Sequence, residues 1–272
     1  MFSTIMKRLF YILALCGLLV PVVGMAWKVP DESLHYSVRY KWGLLDANAG
    51  VVKLTTQGDP ADSSLFMATM SGKSVNLLGH YYEATDTLTG TYMADTVCSV
   101  YTQQVDKADG EFDIETVSYP GASNAAKLGP VVKQLPGGKV LRKRVSHYGG
   151  GVTVDLLGVF YYMRQLDYPS MKPGENSTVN LVDSTGTFTS ALDITYNGPA
   201  MADSCGTQVP AYSITLTFGQ PNGSEKPVAM TALISRNHLR VPLAMQGSLK
   251  FGHIQAKLIE AAIGDSLVAK PD

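Results

Sequence analysis

The residues of this chain that could do chemistry are few and scattered. Two tyrosine pairs, Tyr81-Tyr82 and Tyr161-Tyr162, offer flat apolar faces with hydrogen-bonding tips, a chemistry that stacks on sugar rings. The same side chains serve equally well as core, and in each pair at least one ring is expected to be buried. Arg164 follows the second pair inside the apolar stretch "DLLGVFYYMRQLDYP". A guanidinium in such a segment needs carboxylates or carbonyls around it, or else faces a cavity where it grips an anion. With Trp42, these residues give a set of candidate ligand contacts: Arg164, Tyr161, Trp42 and Tyr82.

Other chemistries lack their spacing. His35, His80, His147, His238 and His253 are isolated, with no His-x-His, His-Glu-x-x-His or Cys-x-x-Cys pattern, so no metal ligands are assigned and no cofactor is implied. Gly72-Lys73-Ser74 imitates the end of a phosphate loop, but Met67 stands where its first glycine belongs. No Gly-x-Ser-x-Gly elbow occurs. Carboxylates such as Asp193 and Asp203 have no partner in the sequence that would tune one against the other. No catalytic residue is therefore assigned. Lys139, Arg142, Lys143, Arg144 and His147 form a basic cluster, read as a charged edge strand protected against pairing, with attraction of an anionic polymer or headgroup as the alternative.

These residues must be held by the surrounding elements, and the pattern of those elements is β. Leu34, Tyr36, Val38, Tyr40 and Trp42 alternate with polar neighbours, as do Tyr212, Ile214, Leu216 and Phe218, which is the period of a half-buried strand. Gly43–Gly50 reads as a turn returning through 51–56. Further short runs bounded by Gly, Pro, Asn and Asp lie at 64–72, 78–95, 97–106, 111–119, 138–147, 177–184, 186–196, 227–235 and 239–263. A phase slip at Gly252-His253 in the last run predicts a bulge or kink. Residues 120–138 read as a loop. The expected fold is a large, curved, mainly antiparallel sheet, an open barrel or sandwich, with one short packed helix over about 155–167.

That helix has a start and a stop. Asp155 suits the N-cap, Val154 and Val159 a hydrophobic staple, and Leu156, Val159 or Phe160, Met163 and Leu166 a buried stripe. Pro169 ends it. Gly158 inside it costs about 1 kcal/mol against alanine, so close packing against a strand is expected there.

The chain has 272 residues, of which 45% are apolar and 17% charged, with a formal net charge of −1. That suffices for a sizeable core and leaves no broad electrostatic footprint for nucleic acid. Residues 1–26 read as an export signal: Lys7-Arg8, an uncharged run from Leu9 to Val23, and small residues at Gly24 and Ala26 before a cut at Trp27. An uncleaved anchor and lipidation at Cys16 are the alternatives. Residues 27–272 then form a single domain, exported to the periplasm or associated with the outer membrane, and peripheral at most to a membrane. In that oxidising setting Cys98 and Cys205 can pair or stay as two buried thiols, and the sequence leaves both readings open.

Three pieces, "LHYSVRYKWGLLDANAGVVKL", "DLLGVFYYMRQLDYPSMKPGE" and "ISRNHLRVPLAMQGSLKFGHIQAKL", resemble in content and order the exported DUF3108 proteins of bacterial envelopes, some of which look like the YmcC-type β fold. The resemblance implies an antiparallel β protein with one helix and no established catalytic residues. Its matching positions are Trp42, Gly50, Phe160, Tyr161, Arg164, Arg240, Pro242 and Gly252. The chain departs from the family where Ser235-Arg236-Asn237-His238 replaces an acidic turn, and near Cys98, where a proline is usual.

Together these observations favour a non-catalytic binding or assembly factor for a glycan, a lipid or an envelope protein. The ligand version expects a cavity under the helix with Arg164 near its mouth. The alternatives are a glycan hydrolase, which needs two carboxylates on one concave surface, and a structural partner that adds a strand at an exposed edge.

Overall fold

Strand β1 (Glu32–Trp42) shows how alternation builds the sheet: Glu32, Leu34 and Tyr36 are buried, whereas Ser33, His35 and Ser37 lie on the outer side. The computed structural model describes residues 29–74, 84–108, 111–119, 130–134, 138–144, 152–182, 188–204, 206–219, 228–248, 251–264 and 266–269. From β1 the chain runs as an antiparallel meander through β2 (Leu45–Gly58), β3 (Leu65–Ser74), β4 (Ala84–Met93), β5 (Ser99–Ala108), β6 (Glu111–Ser118), β7 (Pro130–Gln134) and β8 (Val140–Arg144). After β9 (Thr153–Asp155) and helix α1 (Leu156–Gln165), a second meander follows. Its strands are β10 (Asn176–Val182), β11 (Phe188–Ser204), β12 (Thr207–Phe218), β13 (Val228–Ser235), β14 (Pro242–Ser248) and β15 (His253–Ile263), with β16 (Ser266–Ala269) added to β15.

The first and last long strands join the halves: β1 pairs antiparallel with β15 from Glu32↔Ile263 to Lys41↔His253. The result is one sheet whose path begins at β8 and ends at β9, the latter running parallel to β10. No ladder joins β8 to β9 among the described residues, yet they are consecutive in the chain, and residues 145–152 can span at most about 30 Å. The sheet must therefore curl. The Asp155 side chain at the end of β9 closes the curl without a ladder, accepting from Tyr92 on β4 and Ser99 on β5 at 3.1 Å each.

Helix α1 fills the concave side. Asp155 is its N-cap: extended backbone, with Oδ1 accepting from the Gly158 N–H at 2.9 Å. Val154 and Val159 are both buried, as the staple requires. Of the expected stripe Val159, Phe160 and Met163 are buried and Leu166 is half-buried, whereas Leu156 is 53% exposed and Leu157 is buried in its stead. Gly158 packs where expected: a Cβ there would lie 3.2 Å from Tyr92 Cε1 on β4 and 2.9 Å from Asp155 Oδ1. The helix ends at Gln165, four residues before Pro169, because Leu166 is already extended.

The core is aromatic. Phe66 stacks on Tyr92 with ring centres 5.1 Å apart, Tyr161 meets Phe66 edge-on at 5.2 Å, and Phe160 meets Tyr36 at 6.3 Å. A second cluster beyond the helix joins Tyr168, Tyr196 and Tyr212, with Tyr168 stacked on Tyr212 at 4.7 Å.

Three other expectations change. The 120–138 loop contains β7, whose five residues pair with β6 and β8. The run 239–263 is two strands, so the phase slip at Gly252-His253 marks the β14–β15 hairpin rather than a bulge within one strand. The turn after β1 is tighter than expected, with β2 starting at Leu45. Its irregularity sits at Gly50, where the β1–β2 register shifts and a Cβ would lie 2.4 Å from the Lys73 carbonyl oxygen.

Candidate functional site

Arg164 projects from the last turn of α1 and is 0% exposed. Its guanidinium forms a two-pronged pair with Glu32 of β1, Nη1 to Oε1 and Nη2 to Oε2 at 2.9 Å, and Nη2 also donates to the Leu239 carbonyl at 3.0 Å. Both side chains of the ion pair are fully buried. Arg240, two residues from the β14 start, returns the favour: its Nη1 donates to the carbonyls of Arg164 (3.2 Å) and Leu166, closing the helix C-terminus. The helix and the 235–241 turn are thus laced in both directions. Arg240 adopts a positive φ of +49°, and Asn237 Oδ1 holds the turn by accepting from Ser235 Oγ, Leu239 N and Arg240 N.

A cavity opens beside this lacing. The β14–β15 ladder stops at Ala244↔Lys257, whereas β15 continues to Ile263. The strands part there, and the gap, of about 430 Å³, is bounded by Leu243 and Val241 on one side and by Leu258, Ala261 and Ile263 on the other. Val209, Pro210 and Ser204 from the β11–β12 hairpin and Ser235, Arg236, Asn237 and Leu239 from the turn complete the lining. The lining is largely apolar, with its polar groups on the turn except for Ser204. Arg236 is exposed and its guanidinium lies 5.3 Å over the Tyr212 ring. Among the described residues no carboxylate forms an ion pair with it. Leu239 forms part of the cavity wall while its carbonyl carries Arg164 behind that wall.

The sequence profile of proteins of unknown function DUF3108 matches residues 35–259, most of the chain. The chain belongs to the DUF3108 family. No curated protein matches it. Among solved structures it is similar to the beta-barrel-like protein of domain of unknown function DUF1849 from Brucella abortus, at 11% identity and a TM-score of 0.58, over 88% of this chain and 100% of that one. That likeness extends to the fold. An exported protein with a YmcC-like fold from Bacteroides fragilis (10% identity, TM-score 0.31, 86% and 97% covered) and a lipoprotein from Parabacteroides distasonis (8%, 0.30, 85% and 94%) are more distant.

In this DUF3108 protein the four candidate contacts do not share one place. Tyr161 is 0% exposed and its hydroxyl bonds Thr56 on β2, with burial pushing the phenol well above its usual range. Arg164 neighbours it but is behind the cavity wall, not at a mouth, and no residue of α1 lines the cavity. Trp42 is 57% exposed at the far end of β1, against Phe251. Tyr82 lies outside the described residues, as do Cys205, residues 1–26 and the proposed cut. Cys98 is a buried free thiol.

Sequence reasoning missed Glu32 and Arg236. Glu32 was legible: it shares the inward phase of Leu34 and Tyr36, and a buried arginine demands such a partner. Arg236 had only the departure of the 235–238 turn from the family pattern to mark it. Among the described residues Asp86 and Asp106 stand directly opposite on β4 and β5, in phase with buried Leu88 and Thr102, and Asp113 on β6 is in turn opposite Asp106. Asp86 is exposed, yet partial desolvation, and then Asp106, raise its pKa above the usual carboxylate value. Asp155 is raised too, by burial, against the bonds from Gly158, Tyr92 and Ser99. Among the described residues no group of three His, Cys, Asp or Glu could hold a metal, and no helix is long and apolar enough to cross a membrane.

Proposed function

We propose that this protein is an exported, non-catalytic binding factor of the bacterial envelope that takes up an amphiphile, an apolar chain with an anionic head, in the cavity between β14 and β15. The observation that carries the reading is the cavity itself: about 430 Å³, apolar in its depth, with the Arg236 guanidinium at its rim free of any carboxylate partner among the described residues. An acyl chain would replace water against Val209, Leu243, Leu258 and Ile263, and Arg236 would meet a carboxylate or phosphate head in two-pronged fashion. The export signature of residues 1–26 supports delivery to the periplasm or the outer membrane. Helix α1 is then a plug that sets the shape of the sheet, not a lid.

The test is binding of a fluorescent polyene fatty acid to residues 27–272, compared with the matching alcohol. Saturable one-to-one binding is expected, with Val209→Trp abolishing it for both probes and Arg236→Gln weakening the acid at least tenfold while sparing the alcohol. Binding that ignores Val209→Trp refutes the reading. Native mass spectrometry of protein taken gently from its own envelope should show a discrete added mass.

One observation favours a second reading. Asp86 and Asp106 are two carboxylates on one concave face, the minimum a glycan hydrolase requires. Release of reducing ends from peptidoglycan, lost in both Asp86→Asn and Asp106→Asn, would support it; no release by the folded wild-type protein discards it.

A further inference from the structure

We infer that the opposite end of the molecule is a membrane-docking tip, built from the turns of the β1–β2 and β14–β15 hairpins. Three large apolar residues stand exposed there: Trp42 at 57%, Leu44 fully, and Phe251 at 60%. The two turns are fastened to each other. Trp42 and Phe251 rings are 6.1 Å apart, and the Tyr40 hydroxyl donates to the Phe251 carbonyl at 2.8 Å. Gly252, at φ +77°, lets the second turn press against the first, since a Cβ there would lie 2.2 Å from the Lys41 carbonyl oxygen and 3.0 Å from Trp42 Cβ. The Trp42 and Phe251 side chains are therefore presented side by side.

Shape, residue type and charge choose the occupant. The three side chains expose on the order of 400 Å² together, about half of the ~800 Å² per partner that a standard protein interface buries. A second copy of this chain would be poorly held. A projecting tip can instead enter a bilayer surface, where tryptophan and phenylalanine with leucine are the residues that lodge at headgroup depth. Among the described residues the strands behind the tip carry the cations Arg39 and Lys41 against the acid Asp46, which pairs with both. The skirt is net positive, complementary to anionic lipid headgroups. The tip lies at the Trp42 end of β1, whereas the cavity lies near its Glu32 end. A protein seated this way would hold its cavity away from the bilayer.

The test uses residues 27–272 carrying Trp27→Phe, which leaves Trp42 as the chain's one tryptophan. Vesicles of phosphatidylethanolamine with phosphatidylglycerol are titrated in, with pure phosphatidylcholine as comparison, reading Trp42 emission and co-sedimentation. The expected result is a blue shift and co-sedimentation with the anionic vesicles, at least tenfold weaker with phosphatidylcholine or in 0.5 M salt (roughly 4 Å screening length). Leu44→Ser with Phe251→Ser should weaken binding at least tenfold while leaving the unfolding midpoint unchanged. Absence of both signals at millimolar lipid, equal binding by the double variant, or concentration-dependent dimerisation lost in that variant would each overturn the inference. Fatty-acid binding is unaffected by this variant, so failure here is distinct from failure of the cavity reading.

Discussion

Glu32→Gln should unfold this protein far more easily than its small change in volume suggests. Both members of the Arg164–Glu32 pair are fully buried, and Arg164 has already given one donor to the Leu239 carbonyl. Neutralising Glu32 leaves a guanidinium inside the sheet without its counter-charge, a change that costs about 3–5 kcal/mol when one partner of a buried pair is removed. For a domain of this size each 1 kcal/mol moves Tm by about 2–4 °C, so a fall of roughly 6–20 °C is expected. Replacing both partners, Glu32→Leu with Arg164→Met, removes two desolvation costs at once at the expense of the bond to the Leu239 carbonyl, a loss of about 1–3 kcal/mol. The double variant should therefore be more stable than Glu32→Gln. Urea unfolding of residues 27–272 followed by circular dichroism, with m-values compared so that two-state behaviour is checked, reads both numbers. A Glu32→Gln loss below about 1 kcal/mol, or a double-variant loss equal to the sum of the singles, would refute the claim that Glu32 and Arg164 are energetically coupled.

The N-cap gives a pH signature. Because burial raises the Asp155 pKa in the folded state, the folded protein holds that proton more tightly than the unfolded chain; this contribution is complete below the unfolded carboxylate value, about 3.9, and is lost as pH rises through the raised folded one. Wild type should lose stability relative to Asp155→Asn as pH rises from about 4 through the raised folded value, and a difference independent of pH would contradict the assignment. Gly158→Ala should destabilise by about 1–3 kcal/mol despite gaining helix propensity, since its Cβ would stand 2.9 Å from Asp155 Oδ1 and 3.0 Å from Val154 Cβ; an alanine variant as stable as wild type in urea would show that the helix can shift away from β4. Arg240→Ala, which uncaps the carbonyls of Arg164 and Leu166, should cost about 1–2 kcal/mol and speed hydrogen exchange at the end of α1; unchanged exchange would mean that the turn caps nothing.

Local order was legible and distant order was not. The alternation of Leu34 to Trp42 and the Asp155 cap were readable because each is decided within a few residues, by strand period or by one side-chain bond. The 239–263 run was read as one strand because a hairpin turn and a bulge both shift the phase at a glycine, and only pairing distinguishes them. β7 was missed since its five residues have no partner pattern of their own and exist as a ladder between β6 and β8. The candidate contacts were drawn from residue type, yet Trp42 and Arg164 lie on structures separated by most of the length of β1. What β1 joins to β15 cannot be seen before the two ends of the chain are brought together.

That joining also explains why the helix is enclosed. A sheet whose path runs from β8 to β9 has two free ends, and twist alone would leave them apart. Here the β9 end is held by side chains: Asp155 ties β9 to Tyr92 on β4 and Ser99 on β5, Thr56 and Tyr161 tie α1 to β2, and Glu32 ties it to β1. Opening the sheet around α1 would therefore break the buried ion pair and the N-cap together. The gap between β14 and β15 breaks neither, since the ladder is already parted beyond Lys257 and the Leu239 wall is held from behind by Arg164. A ligand entering by the least disruptive route enters there, past Arg236, with the helix left in place.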